Sequence, residues 1–212
     1  MANLIWTDAS LEPKRKFRYL IDIAGDANSS AEERDAMKSV RFLAQTCDRP
    51  GIKVGASEHK YFDKTYWHPG RVTWEPNPLS IKLVDIQAKG ASGVDTNGLL
   101  LNAFARSGLS VFSSLPDGNF TTIGKSRAVG ALGQVTVRVL SSLTQTDGFI
   151  EGEPSLVNGG IAEEWILENA WLESVKPDAL DYGSEEILTV TMTIRYDFCR
   201  FSSPAGALFP AG

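Results

Sequence analysis

Two histidines, two cysteines and three pairs of adjacent carboxylates are the side chains from which chemistry would have to be built in this chain. His59 and His68 stand nine residues apart and do not reproduce the HExxH pairing of a zinc site, so both read as solvated surface residues. Glu32-Glu33, Glu163-Glu164 and Glu185-Glu186 could supply the acid and base of a glycosidase. The last two pairs open strands in mixed polar runs, which makes them solvated strand ends. Cys47 and Cys199 match no CxxC or zinc-ligand spacing and read as reduced, buried thiols. A disulfide, within or between subunits, is the alternative if the mature particle leaves the cell. Gly124-Lys125-Ser126 lacks the earlier glycine of a phosphate loop, and no GxSxG elbow is present. Gly130-Ala131-Leu132-Gly133 precedes a strand instead of opening a helix, so it reads as a bend. These residues define no catalytic, metal or cofactor-binding site, and the chain is expected to be no enzyme and to need no cofactor.

The 212 residues are enough for one β-rich domain with a sizeable core. Hydrophobic and charged fractions of 42% and 22% exclude a disordered chain. Acidic residues outnumber basic ones, 26 to 21, for a net charge of −5, which argues against a sequence-reading DNA binder. The N-terminus shows no secretory pattern, and no apolar run is long enough for a membrane helix, so membrane insertion is not expected and assembly belongs in the cytoplasm.

Strand periodicity dominates the elements that carry these residues. Arg15 to Ala24 alternates Phe17, Tyr19, Ile21 and Ile23 against Arg18, Leu20, Asp22 and Ala24, a strand with one clearly apolar face. Gly25 to Asp35 reads as a loop or short helical turn, and Met37 to Cys47 as a second strand stopped at Asp48-Arg49-Pro50-Gly51. Ile52 to Trp67 is a polar-aromatic ribbon ending at His68-Pro69-Gly70. Its aromatics interleave with lysines as in a single-strand stacking platform, but Glu58, Asp63 and Glu75 mix the charge, which favours protein contact over nucleic acid. Arg71 to Glu75 and Ser80 to Ile86 follow as strands on either side of Pro76-Asn77-Pro78. The one helix expected is Thr96 to Ser107, capped by Asp95 or Thr96. Residues 109–161 are rich in Gly and Ser, with one clear strand at Gln134 to Leu140.

The C-terminal third is the most regular part. Glu163 to Val175 and Glu185 to Arg200 flank a turn at residues 176–184 and form one extended antiparallel hairpin. Leu188, Val190, Met192, Ile194, Tyr196 and Phe198 point one way, and Thr189, Thr191, Thr193, Arg195 and Asp197 the other. A strand of twelve such residues spans roughly 40 Å, beyond what one small core needs.

This hairpin, with its Trp165 and Trp171 strand, the Leu180-Asp181-Tyr182 turn and the final strand ending in Tyr196-Asp197, resembles the end of the tail tube proteins of contractile-tailed bacteriophages. The segments Phe42 to Pro50, the ribbon to Gly70, Trp74, and Ser80 to Asp85 fit that family's central strands in order. Residues 109–161 depart from it as an inserted loop region, and the first twelve residues are unassigned. The resemblance implies one mainly β domain over residues 1–212: two packed antiparallel sheets forming a barrel or sandwich, one flanking helix, and an extended tail at 202–212. It also implies a structural virion protein, similar to the type VI secretion ring protein, whose homohexameric rings stack into a hollow tail tube. Tail sheath, tape measure and baseplate or terminator proteins are then the expected partners. DNA would cross the lumen without specific binding, since six acidic copies sum to about −30 and offer phosphate no basic lining. On this resemblance Asp48, Arg49, Tyr61, Tyr66, Trp67, Arg71, Trp74, Asp181, Tyr182 and Arg195 are the expected subunit and ring contacts. A tube-initiating baseplate or terminator protein of the same fold is the alternative, and a ligand-binding or hydrolytic β-barrel the more distant one.

Overall fold

The computed structural model describes residues 13–26, 31–87, 95–107, 124–141, 160–183, 185–203 and 206–208. In chain order these form β1 (Tyr19–Ile23), α1 (Ala31–Ser39) with a 3-10 turn (Val40–Phe42), β2 (Ala44–Cys47), β3 (Gly51–Tyr61), β4 (Lys64–Glu75) and β5 (Leu79–Val84). Next come α2 (Thr96–Arg106), α3 (Lys125–Leu132), β6 (Val135–Leu140), β7 (Ile161–Glu168) and β8 (Trp171–Pro177). The chain closes with β9 (Thr189–Arg195), β10 (Phe198–Ser203) and β11 (Gly206–Leu208). The protein is mainly β. Sheet I has the strand order β1-β6-β7-β10-β11, sheet II the order β2-β5-β9-β8, and β3-β4 stands apart as a two-stranded ribbon. All pairings are antiparallel, and neither sheet closes into a barrel.

Period-two alternation builds the core between the two sheets. Ile21 and Ile23 from sheet I face Leu79, Ile81, Leu83, Val190, Met192 and Ile194 from sheet II in one buried cluster. Each of these large side chains contributes about 1.5–3 kcal/mol by leaving water. The helices cover the side where the edge strands β1 and β8 lie: α1 and its 3-10 turn meet β1, while α2 and α3 meet β8 and each other. In α2 the predicted cap is made by Asp95, whose side chain accepts from the Gly98 N–H at 3.2 Å. Leu100, Ala103 and Ser107 at its core-facing side are buried. No described helix is long and apolar enough to cross a membrane.

Among the described residues three helices flank the sheets where one was expected. Met37 to Cys47 is strand only from Ala44; Met37 and Val40, three apart, share a buried helical face, and Phe42, inward-facing in the strand reading, is 78% exposed. The Gly130-Ala131-Leu132-Gly133 bend is the end of α3, whose Ala128, Ala131 and Leu132 are buried on one face. Gly133 does break the chain there, at φ +70. A Cβ on it would stand 2.3 Å from the Gly25 carbonyl oxygen, so the close pairing of β1's end with the start of β6 requires glycine. Within 109–161, residues 124–141 thus supply α3 and β6, with β6 paired between β1 and β7.

The C-terminal hairpin exists as a pairing but bends at mid-length. Leu172 pairs with Ile194 in sheet II, whereas Glu168 pairs with Phe198 in sheet I. The arms turn at Asn169, held at φ +53, and opposite it at Asp197. Asn tolerates that left-handed conformation better than bulkier residues do. The Asp197 N–H donates to the Glu168 carbonyl at 3.0 Å, and its carboxylate accepts from Asn169 Nδ2 and from Lys125 Nζ of α3, both at 2.6 Å. Crossing the bend reverses the side-chain phase. Tyr196 is buried as predicted, but Phe198 is 43% exposed and Cys199 takes the inward place. The length of these strands is therefore used inside the subunit, to build both sheets.

Candidate assembly surfaces

Strands β2 and β5 of sheet II continue into β3 and β4 respectively, but among the described residues the ribbon these form pairs with no other strand. From Ile52 to Thr73 every residue except Gly55 is exposed. The ribbon turns at Phe62-Asp63, where Tyr61 pairs with Lys64, and not at His68-Pro69-Gly70 as the sequence suggested. Those three residues lie inside β4. Pro69 faces Ala56, and a bulge lets the Gly55 and Gly70 backbones approach so closely that a Cβ on Gly70 would sit 3.2 Å from Gly55. Phe62 at the tip is 89% exposed at φ +52, edge-on to Tyr61 with ring centroids 4.6 Å apart.

The register sorts the ribbon into two unlike faces. One carries Ile52, Val54, Ala56, Trp67, Pro69, Val72 and Trp74, an apolar stripe that begins on the core at Trp74 and runs outward to Trp67, 66% exposed. The other carries Lys53, His59, Tyr61, Lys64, Tyr66 and His68, with Arg71 at the bulge. His68 lies opposite Ser57 and His59 opposite Tyr66, so the two histidines are diagonal neighbours. Lys53 is ion-paired with Glu75 at 3.2 Å at the base of this face, and Lys60 with Glu58 at 3.3 Å on the apolar one.

Both strands are braced where the ribbon leaves the body. Asp48 exchanges two hydrogen bonds with Ser80: its N–H donates to the Ser80 carbonyl at 3.0 Å, and its carboxylate accepts from the Ser80 N–H at 3.1 Å. Arg49 reaches Glu163 of β7 at 3.4 Å. On the other strand, buried Tyr196 donates its hydroxyl to the Pro76 carbonyl at 2.8 Å, while Asn77 Nδ2 donates to the Tyr196 carbonyl at 2.9 Å. Burial raises the Tyr196 phenol pKa. It stays a neutral donor at physiological pH. The corner of the C-terminal hairpin thereby holds the corner of the ribbon.

A second exposed surface is the tip of the C-terminal hairpin. The Asp178 N–H donates to the Thr189 carbonyl at 2.9 Å, closing a loop that runs to Leu188 because β9 starts only at Thr189. The Asp178 carboxyl is held below the usual carboxylate range by the Thr189 hydroxyl and then by the Ala179 N–H. Asp181 accepts from the Gly183 N–H at 2.9 Å. Leu180 is 84% exposed, and Tyr182 and Ile187 are open to water too. Arg195, on the outer face of sheet II beside Thr193, pairs with Glu173 at 2.8 Å.

The expected contact residues thus fall in separate places. Tyr61, Tyr66, Trp67, Arg71 and Trp74 share the ribbon, Asp48 and Arg49 brace its base, Asp181 and Tyr182 belong to the loop, and Arg195 stands on sheet II. Sequence reasoning missed the Tyr196 brace and two sets of ion pairs on opposite faces of sheet I, that of Glu163 in phase with inward-facing Trp165 and Leu167 and that of Glu164 on the outer face. Glu163 and Glu164 are not solvated strand ends. Glu163 pairs with Lys14 and Arg49, and Glu164 with Arg138, which also binds Asp22; Asp22 in turn pairs with Arg41. The alternation of charge with Ile166 along β7 was the available signal, and it becomes readable only once β1, β6 and β7 are side by side. Cys47 and Cys199 are free thiols, with burial pushing both up to about 12. Among the described residues no group of three or more His, Cys, Asp or Glu could hold a metal ion.

No protein-family model matches the sequence, and neither does a curated protein. Solved structures do match in fold. The baseplate of the anti-feeding prophage contains a chain superposing with a TM-score of 0.52 at 14% identity, over 91% of this chain and 97% of that one. The sheath/tube terminator of an extracellular contractile injection system gives 0.52 at 13%, over 92% and 100%. The tube-terminating cap of the anti-feeding prophage gives 0.52 at 12%, over 96% and 99%. The chain shares its fold with these baseplate, terminator and cap chains.

Proposed function

We propose that the chain is a structural, non-catalytic subunit of the inner tube of a contractile tail or injection particle, assembling as homohexameric rings that stack. The observation that carries this reading is the ribbon: two long strands, apolar on one face and basic-aromatic on the other, held away from their own core. An isolated two-stranded ribbon is marginal in water, so one so long and so firmly braced at its base fits a surface supplied by neighbouring copies. In a phage tail, DNA would pass through the lumen of such rings without specific binding, and sheath, tape measure and baseplate proteins would be the partners in the virion. A second reading is favoured by the fold matches to baseplate, terminator and cap chains: the subunit sits at one end of the tube. Negative-stain microscopy with mass photometry of the purified chain tests both. Hexameric rings that extend into tubes support the repeating subunit, and rings that do not extend support the tube-end role. A strictly monomeric particle at high concentration overturns the proposal.

A further inference from the structure

The most concentrated positive charge in this acidic chain lies just before β1. Residues 13–21 hold Lys14, Arg15, Lys16 and Arg18 and no carboxylate. A β-turn shapes the run: the Arg18 N–H donates to the Arg15 carbonyl at 3.2 Å, which puts Lys16 and Phe17 at the corner. Its root is fixed on sheet I, where the Leu140 N–H donates to the Arg18 carbonyl at 3.0 Å and Tyr19 pairs with Val139. Phe17 is 75% exposed, with the Arg18 guanidinium 5.8 Å from its ring centre. Arg15 and Lys16 are exposed as well, and among the described residues Arg15, Lys16 and Arg18 make no ion pair. Lys14 shares Glu163 with Arg49. With Arg49 and the carboxylates of Glu163 and Asp48 counted in, the cations still outnumber the anions, Lys14, Arg15, Lys16, Arg18 and Arg49 against those two.

We infer that this turn is a peripheral contact for an anionic lipid surface. A single exposed aromatic ring with cations on both sides of it suits a headgroup layer: the ring enters the interface while the cations meet lipid phosphates. Proteins that track single-stranded nucleic acid offer successive aromatic rings along a basic groove, and here there is one ring. Duplex DNA is held mostly through phosphate and sugar, which leaves an exposed phenyl ring without a partner. The net charge of −5 does not oppose the contact, because at physiological salt exposed charges more than about 8 Å away are largely screened. Only the cations at the turn then count, and each strengthens binding to an anionic leaflet by about fivefold. The inference goes beyond the tube reading and does not depend on it.

The test is co-sedimentation of the full-length chain with phosphatidylcholine vesicles, with and without a third of phosphatidylglycerol. The wild type is expected to bind the anionic vesicles at least about tenfold more tightly than the neutral ones, and less tightly as salt rises. R15E with K16E weakens that binding by about twentyfold or more. Phe17→Ala weakens it by about fivefold while leaving every charge in place, a loss that a purely electrostatic contact would not show. All three positions are exposed, circular dichroism confirms that each variant folds, and mass photometry confirms an unchanged assembly state. Wild-type protein that ignores anionic vesicles, binds both kinds equally, or binds as well after R15E with K16E overturns the inference. So does a single-stranded or duplex oligonucleotide that binds at the turn as tightly as the anionic vesicles do, which would make the surface a nucleic-acid contact. None of these outcomes bears on whether the chain forms rings.

Discussion

The ribbon hairpin and the C-terminal hairpin share one plan: in each, two long strands pair inside sheet II, break at a corner, and continue beyond it. What lies beyond the corner differs. The C-terminal arms bend at Asn169 and Asp197 onto sheet I, where β7 meets β6 and β10 meets β11. The other pair leaves the body past Asp48-Arg49-Pro50 and Pro76-Asn77-Pro78 and, among the described residues, meets no further strand. Strand length alone is therefore no sign of intersubunit contact. The longest apolar alternation in the sequence is consumed by the subunit's own core, while the ribbon, with its weaker and more mixed pattern, is the part that awaits a partner.

The sharpest way to break this contrast is one truncation in each hairpin. Met192→Ala removes a fully buried side chain between the sheets and is expected to destabilise the monomer by about 2–5 kcal/mol in a denaturant titration. Trp67→Ala should leave monomer stability within about 0.5 kcal/mol, since that ring touches mainly water, yet weaken self-association by at least about tenfold. A large loss of monomer stability in the second variant would mean that the ribbon belongs to the subunit's core after all.

Much of sheet II was legible because its strands bury one face only. Leu79, Ile81 and Leu83, and Val190, Met192 and Ile194, alternate without interruption, and α2 announced itself through Asp95 and the Leu100–Ala103 face. The corners were not legible, because a bend such as that at Asn169 costs two residues and leaves the alternation on either side intact. The α1 region was misread since Val40, Phe42 and Ala44 satisfy period two by chance, while Met37 and Val40 carry the spacing that burial selects. The ribbon's turn was misplaced because Pro69-Gly70 is a strong local turn signal, overridden by a bulge that sets Gly70 against Gly55. The aromatic contact residues were picked out on type alone; the faces that separate Trp67 from Tyr66 depend on that bulge and on the pairing partner.

The next test addresses the joint between the two hairpins. Tyr196→Phe removes the hydroxyl that donates to the Pro76 carbonyl and leaves the buried ring in place. A loss of about 1–2 kcal/mol is expected from the unsatisfied carbonyl. If the ribbon's direction depends on this brace, the variant also assembles less well than its stability loss accounts for, which a stability-matched core variant such as Ile81→Val would reveal. Equal assembly by the two variants would reduce Tyr196 to an ordinary core residue.

The smallest expected effect lies at the bend of the C-terminal hairpin. The Asp197 carboxyl is held below the usual range by the Lys125 ammonium and then by the Asn169 amide. A carboxylate whose folded pKa is depressed contributes stability that is present above its unfolded value, about 3.9, and is lost as pH falls through the lower folded value. Because the side chain is 39% exposed, solvent screening limits the contribution to about 0.5–1 kcal/mol. Asp197→Asn keeps an acceptor for Lys125 and removes the charge. The stability gap between wild type and variant should be constant from pH 5 to 8, narrow below about pH 4, and vanish near pH 2, as followed by urea midpoints. A gap unchanged at the lowest pH would mean that the bend is fixed by the Asn169 backbone conformation and the Asp197 N–H to Glu168 bond, and that the ionised carboxylate contributes nothing to the crossing between sheets.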